Sequence, residues 1–203
     1  MSDRGTDALL FDLGGVIIDL DFGRVFERWA ELSDQSAEVL RGRFRFDDAY
    51  ERHERGEIDS AAYFAALGST LDLDLNLDEL IDGWNAVFLG PFPGATDLLA
   101  RLAERFPLYA LTNSNPTHEA YWSRRYRQDL SVFQAVFVSS TIGRRKPELD
   151  SYRFVADSLG LAPERFHFFD DSADNVAGAR RTGMAATHVT SFEDLLARTT
   201  TLV

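Results

Sequence analysis

The chain has no cysteine, which excludes disulfides and thiol chemistry. It also has no excess of positive charge. Its 33 acidic residues outnumber 21 basic ones, for a formal net charge of −12. A nucleic-acid backbone needs a basic face, so no nucleic-acid partner is expected. No stretch approaches the roughly 18 uninterrupted apolar residues of a membrane helix, so no membrane partner is expected either. The opening "MSDRGTDALL" lacks a basic-then-apolar leader. Internal repeats and low-complexity segments are missing too. What remains is 203 residues, 45% hydrophobic and 12% aromatic, enough for one substantial core and a smaller inserted unit. The expectation is a cytoplasmic protein acting on a small molecule. Oligomeric state is not legible, and a monomer is compatible with everything here.

The chain is organised unevenly. "ALLFDL" (8–13) is a short continuous apolar run, the mark of a strand buried on both faces. Residues 20–89 carry no comparable strand signal and read as helices: "FGRVFERWAEL", "DSAAYFAAL" and "LDELIDGWNAVF". Asn76 and Glu79 have the spacing of a capping box. After the Pro/Gly hinge "GPFPG" (90–94), apolar strands alternate with helices. The strands are "PLYALTN", "AVFVSS", "RFHFFDD" and "AATHV". Such alternation predicts βαβ units around a parallel sheet. The fold class expected is therefore α/β, a Rossmann-like parallel sheet with helices on both faces plus an inserted all-helical cap. Residues 1–19 and 90–203 would form the core, and residues 20–89 the cap.

Ligands of open α/β sheets bind outside the carboxyl ends of the strands. Those ends carry Asp12, then Thr112-Asn113-Ser114, then Asp170-Asp171, with Lys146 on the loop after "AVFVSS". A lone acid at a strand end is more often a turn former or a cap. Two adjacent carboxylates repel each other unless a cation or good donors compensate them. Together with Asp12 they make an oxygen-rich cluster that suits Mg²⁺ far better than Zn²⁺. Of the pair, Asp171 is the better ligand candidate, since Asp170 can cap the following helix. Pro147 keeps Lys146 extended and is placed to begin the next helix. Nucleophile, metal, cation and hydrogen-bond donors around one phosphate describe a phosphoryl-transfer site.

The stretches "LLFDLGGVIID", "ALTNSN", "RRKPE" and "FHFFDDSADN" resemble the four ordered motifs of the haloacid dehalogenase (HAD) superfamily. The resemblance spans nearly the whole chain and puts the helical insert in the position of that family's C1 cap. With "HERGEID", "DGWNAVF" and "YWSRRY", the sequence looks most like the bacterial α-D-glucose-1-phosphate phosphatase branch. The phosphatase domain of epoxide hydrolases is a more distant likeness. The resemblance implies a Mg²⁺-dependent phosphatase hydrolysing a small phosphate monoester, such as a hexose 1-phosphate, through an aspartyl-phosphate. It makes Asp12 the nucleophile and gives Asp12, Gly14 (through its carbonyl), Asp171 and Asp170 to the metal, with Asn175 supporting them. Thr112 and Asn113 would grip the transferring phosphate, Lys146 would neutralise charge, and Gly15 would let phosphate approach the backbone.

One departure stands out. Most phosphatases of the superfamily carry a second aspartate two positions after the nucleophile, where this chain has Gly14. A glycine cannot shuttle a proton, so either catalysis is impaired or another group or a water does the job. His53 of the cap is a candidate, although a place on the polar face of a cap helix is its more ordinary reading. A sugar 1-phosphate also asks less of an acid, because its leaving oxygen is a weaker base. Two rivals remain. A 2-haloacid dehalogenase uses the same aspartate without metal, but has no use for Asp170-Asp171. A non-catalytic HAD-like binding or regulatory protein would not need Asp12, Thr112, Lys146 and Asp171 together. Trp29, Trp84, His118, His167 and His188 are expected to be structural.

Overall fold

The computed structural model describes residues 5–200 and 202; the expectations that touch residues 1–4, 201 and 203 lie outside the described residues. Strand β1 (Ala8–Phe11) leads to a short β2 (Ile18–Leu20). Five helices follow: α1 (Gly23–Leu32), α2 (Ala37–Arg43), α3 (Asp48–Glu54), α4 (Ser60–Leu71) and α5 (Leu77–Asn85). Then come β3 (Phe88–Pro91), α6 (Ala95–Ala103), β4 (Leu108–Thr112), α7 (Pro116–Arg125), β5 (Ala135–Val138) and α8 (Ser139–Ile142). The chain closes with α9 (Leu149–Leu159), β6 (Phe166–Asp170), α10 (Ala173–Arg181), β7 (Ala185–His188) and α11 (Phe192–Thr199).

The main sheet is parallel throughout, in the order β5-β4-β1-β6-β7. The α/β class expected from the sequence is the one observed. Successive side chains of β1 point to opposite faces, and both faces are covered by helices. Leu9 and Phe11 pack with Leu98 and Leu99 of α6, Trp122 of α7 and Leu195 of α11. Ala8 and Leu10 pack with Tyr152 and Val155 of α9 and Val176 of α10. The central strand therefore has no polar side, which explains its unbroken apolar run.

From β1 the sheet grows outward through β4 and β5, then returns to the other side for β6 and β7. The switch point of the sheet thus lies beyond the carboxyl end of β1, where such sheets hold their ligands. Phe11 and Phe169 stand in register and their rings stack at 5.1 Å. The Asp12 amide donates to the Phe169 carbonyl at 2.9 Å, so β1 and β6 end level and release their acids at the same height.

The insert has its own apolar centre. Trp29 and Trp84 stack at 5.9 Å, both fully buried, with Val25, Phe64 and Leu71 around them. The capping box at Asn76 and Glu79 is present. Two differences from the sequence reading are instructive. The segment is not purely helical, because β2 pairs antiparallel with β3 into a small ribbon where the chain enters and leaves the insert. Helices α2 and α3 were also not anticipated; their caps, Ser36 and Asp47, accept from Val39 and Tyr50 amides. No helix among the described residues is long and apolar enough to cross a membrane.

Candidate active site

Four segments converge at the carboxyl edge of the sheet, and one buried lysine joins them. Lys146 is the only lysine in the chain. Its Nζ lies 3.0 Å from Asp12 Oδ1 and 2.6 Å from Asp170 Oδ2, with the side chain fully shielded from water. The peptide bond to Pro147 is cis, and α9 begins at Leu149, so Pro147 does not open that helix as expected. What holds the lysine loop is Asn113. Its side-chain amide donates to the Lys146 carbonyl at 2.9 Å, and its carbonyl oxygen accepts from the Lys146 amide at 2.8 Å. The Asn113 side chain is thus engaged in positioning Lys146, where the sequence reading had it gripping phosphate. Thr112 ends β4 beside it and lines the cavity described below.

The two adjacent acids divide their work. Asp170 is completely buried and every lone-pair direction is used. Oδ1 accepts from the Ser172 amide at 2.8 Å and Asn175 Nδ2 at 3.0 Å; Oδ2 accepts from Lys146 and from Asn175 Nδ2 at 3.1 Å. Asp171 is the exposed member. Burial and the neighbouring Asp170 raise its carboxyl above the ordinary range. One oxygen each from Asp12, Asp170 and Asp171 lies within 4.8 Å of the others. Asp12 Oδ1 is taken by Lys146 and by the Leu13 amide at 2.7 Å. Burial raises the Asp12 carboxyl to about 7; Lys146 opposes this, and Asp170 and Asp171 add to it. Three carboxylates facing one ammonium leave negative charge uncompensated, and a hard divalent cation on oxygen donors would relieve it.

The two glycines after Asp12 have different reasons. Gly15 sits at φ +71°, and a Cβ there would run into the Asp171 carboxylate. The room that the missing Cβ clears is taken up by Asp171. Gly14 has no such backbone demand. A Cβ there would stand 2.7 Å from Leu20 Cδ1. Leu20 of the ribbon thus fills the space that a larger residue at position 14 would need.

Above Thr112 and Gly14 lies a narrow cavity of about 70 Å³ between sheet edge and insert. Leu20, Phe22, Val87, Phe88 and Trp122 give it an apolar wall, and its polar members are Tyr50, Glu54, Thr112, Asn113, Ser114 and His118. Glu54 was not anticipated. It sits at the end of α3, 4% exposed, with Oε2 bound by Arg145 Nε at 3.0 Å and Nη2 at 2.8 Å. Burial raises its carboxyl despite Arg145, the Tyr50 hydroxyl bond and the Lys146 charge, all of which act to lower it. His53, the residue beside it, goes elsewhere. It is 1% exposed, stacks on Tyr63 at 4.3 Å and meets Ser60 Oγ at 3.1 Å. Burial lowers its pKa to about 4, so it is a neutral member of the insert's interior and does not line the cavity.

The remaining histidines have structural partners. His118 stacks on Trp84 at 4.9 Å and its Nε2 faces the Trp84 carbonyl at 3.1 Å. His167 meets Thr187 Oγ1 at 2.7 Å, and His188 meets the Asp171 carbonyl at 2.8 Å.

The chain is similar to known proteins in sequence and in fold. A sesquiterpene phosphatase of Aspergillus oryzae is 27% identical over 184 residues, 90% of this chain and 89% of that protein. A D-ribitol-5-phosphate phosphatase of Bacteroides thetaiotaomicron is 21% identical over 180 residues, 86% of this chain and 87% of that protein. Among solved structures, a HAD family enzyme of Bacteroides thetaiotaomicron in complex with magnesium and inorganic phosphate superposes with a TM-score of 0.81. It is 25% identical and covers 92% of this chain and 96% of that one. The family model for haloacid dehalogenase-like hydrolases matches residues 6–183, and the chain belongs to that family.

Proposed function

We propose that this HAD-like hydrolase is a Mg²⁺-dependent phosphatase that cleaves a small phosphate monoester through an aspartyl-phosphate on Asp12. One observation carries the reading. Asp12 is pinned through Oδ1 by Lys146, while Asp171 stands exposed beside it within a three-carboxylate cluster. The arrangement leaves Asp12 Oδ2 to attack and Asp171 to hold a cation. Asp12, Asp171 and the Gly14 carbonyl would hold Mg²⁺, which neutralises charge on the nucleophile and the phosphate. Asp170 and Asn175 orient Lys146 at the edge of that shell, and Thr112 offers its hydroxyl to a phosphate oxygen. The acid pair speaks against a metal-free dehalogenase. A buried and fully bonded lysine at the centre speaks against a decayed, non-catalytic relative.

The insert acts as a cap in this reading, and the cytoplasm is the compartment that fits the cysteine-free chain. A cavity of about 70 Å³ is well below the few hundred Å³ of ordinary small-molecule sites. Substrate therefore enters when the cap lifts, with the β2–β3 ribbon as the hinge. The sugar 1-phosphates, hexose 1-phosphate first, are the proposed substrates, because Gly14 offers no acid and an anomeric oxygen is the easier leaving group. Phosphate release from hexose 1-phosphate and from alkyl phosphates, with Mg²⁺ and with EDTA, tests both parts. Magnesium-dependent turnover lost in Asp12→Asn supports the phosphatase. Faster turnover of alkyl phosphates than of sugar 1-phosphates removes the preferred substrate.

A further inference from the structure

The phosphatase reading leaves one step without an agent. When the phosphorus–oxygen bond of the ester breaks, the leaving oxygen needs a proton. When water attacks the aspartyl-phosphate, it must lose one. Position 14 supplies nothing, and Leu20 fills its space. His53 is turned into the cap interior.

We propose that Glu54, delivered by the cap helix α3, is the general acid and base of this enzyme. Glu54 lines the same narrow cavity as Gly14, Thr112 and Asn113, and comes to it from the helical insert. It is the sole carboxylate among the described residues that wall this cavity. The groups that face it are Tyr50 on its own helix and Arg145 and Lys146 from the loop before α9. Arg145 binds only Oε2, and a second bond to Glu51 Oε1 at 3.2 Å anchors the guanidinium to the same helix. Arg145 and Tyr50 are positioning residues: they fix the carboxyl at the cavity wall, while burial raises its pKa above the ordinary carboxylate range.

The chemistry balances in two steps. Asp12 Oδ2 forms a bond to phosphorus as the ester oxygen departs, and that oxygen takes the proton of the Glu54 carboxyl. The Glu54 carboxylate then takes a proton from water as the water oxygen bonds to phosphorus. The bond to Asp12 breaks, phosphate leaves, and Glu54 is protonated again. An acid mounted on the cap is present only when the cap is closed, so the aspartyl-phosphate is shielded from stray hydrolysis until closure.

The proposal rests on the phosphatase reading, and the leaving group separates the two. Glu54→Gln is compared with the parent enzyme on an alkyl phosphate, a hexose 1-phosphate and p-nitrophenyl phosphate, by rapid quench as well as at steady state. A general acid contributes roughly 10²–10⁴-fold. The first turnover should slow by about that factor for the alkyl ester and by at least tenfold less for p-nitrophenyl phosphate. The nitrophenyl ester should instead give a burst near one per site, followed by a slow steady state as aspartyl-phosphate accumulates. Glu54→Asp, which keeps a carboxyl for Arg145, should recover part of the alkyl-ester rate. An equal fall on all three esters with no burst, or no fall on the alkyl ester, overturns the assignment. Retained activity of Asp12→Asn on p-nitrophenyl phosphate would instead overturn the phosphatase reading itself.

Discussion

Lys146 holds Asp12 and Asp170 at the end of the sheet with its own side chain and that of Asp170 wholly shielded from water. Nearer the surface, Arg55 and Arg145 tie the helical insert to the loop before α9 through Glu51 and Glu148, whose side chains are 41% and 40% exposed. The two clusters use similar charges under different conditions. Inside, every partner is fixed by backbone on two strands and a loop, and removing one leaves a buried charge uncompensated. Outside, water competes with each pair, so each is weak and replaceable. The inner cluster suits chemistry that needs fixed geometry. The outer one suits a seam of contact that can part and re-form, as the proposed cap opening requires. Glu54 belongs to both: it is bound to the seam through Arg145 and buried against the site.

Disrupting the inner cluster should have the largest effects. Asp12→Asn is expected to lower turnover roughly 10⁴-fold or more, measured as phosphate release, with little loss of melting temperature. Lys146→Met should cost about 3–5 kcal/mol in denaturant titration, because Asp12 and Asp170 then face each other without a cation. Added Mg²⁺ should return part of that stability if the carboxylates hold it. Restoring an acid at position 14 asks only the Cδ1 end of Leu20 to turn aside, so Gly14→Asp is expected to cost about 1 kcal/mol or less in the same titration.

Smaller effects are expected toward the cap and its seam. Burial lowers His118 to about 3 and His53 to about 4. Unfolded chains bind protons at these residues below about 6.5, while the folded protein does not. Their contribution is therefore complete above pH 6.5 and is lost as pH falls toward 4. The melting temperature should drop over that window, and His118→Gln should flatten the slope. At the seam, Arg55→Ala should change stability by about 1 kcal/mol or less, with a salt-sensitive change in KM in place of a loss of turnover.

The contrast between the regions also governs what could be read in advance. The strand ends were legible because β1, β4 and β6 are apolar runs that stop at Asp12, Asn113 and Asp170. The short charged helix α3 has no such stripe; in "DAYERHE" the burial of Glu54 depends on Arg145, 91 positions away, and that of His53 on Tyr63 of α4. His53 was singled out for its chemistry, yet the neighbouring Glu54 faces the cavity because helical spacing puts it on the face of Tyr50. The β2–β3 ribbon was hidden for a similar reason. Strands of three and four residues carrying Gly90 and Pro91 exist through their pairing, not through local preference.

The most direct test of the central claim is to trap the phosphoenzyme. The enzyme is mixed with a phosphate monoester and Mg²⁺, quenched in acid within the first turnover, digested and analysed by mass spectrometry. A phosphoryl group on the peptide carrying Asp12, absent with EDTA and absent in Asp12→Asn, is the predicted result. Turnover with no label on Asp12, or a label insensitive to EDTA, would contradict the account.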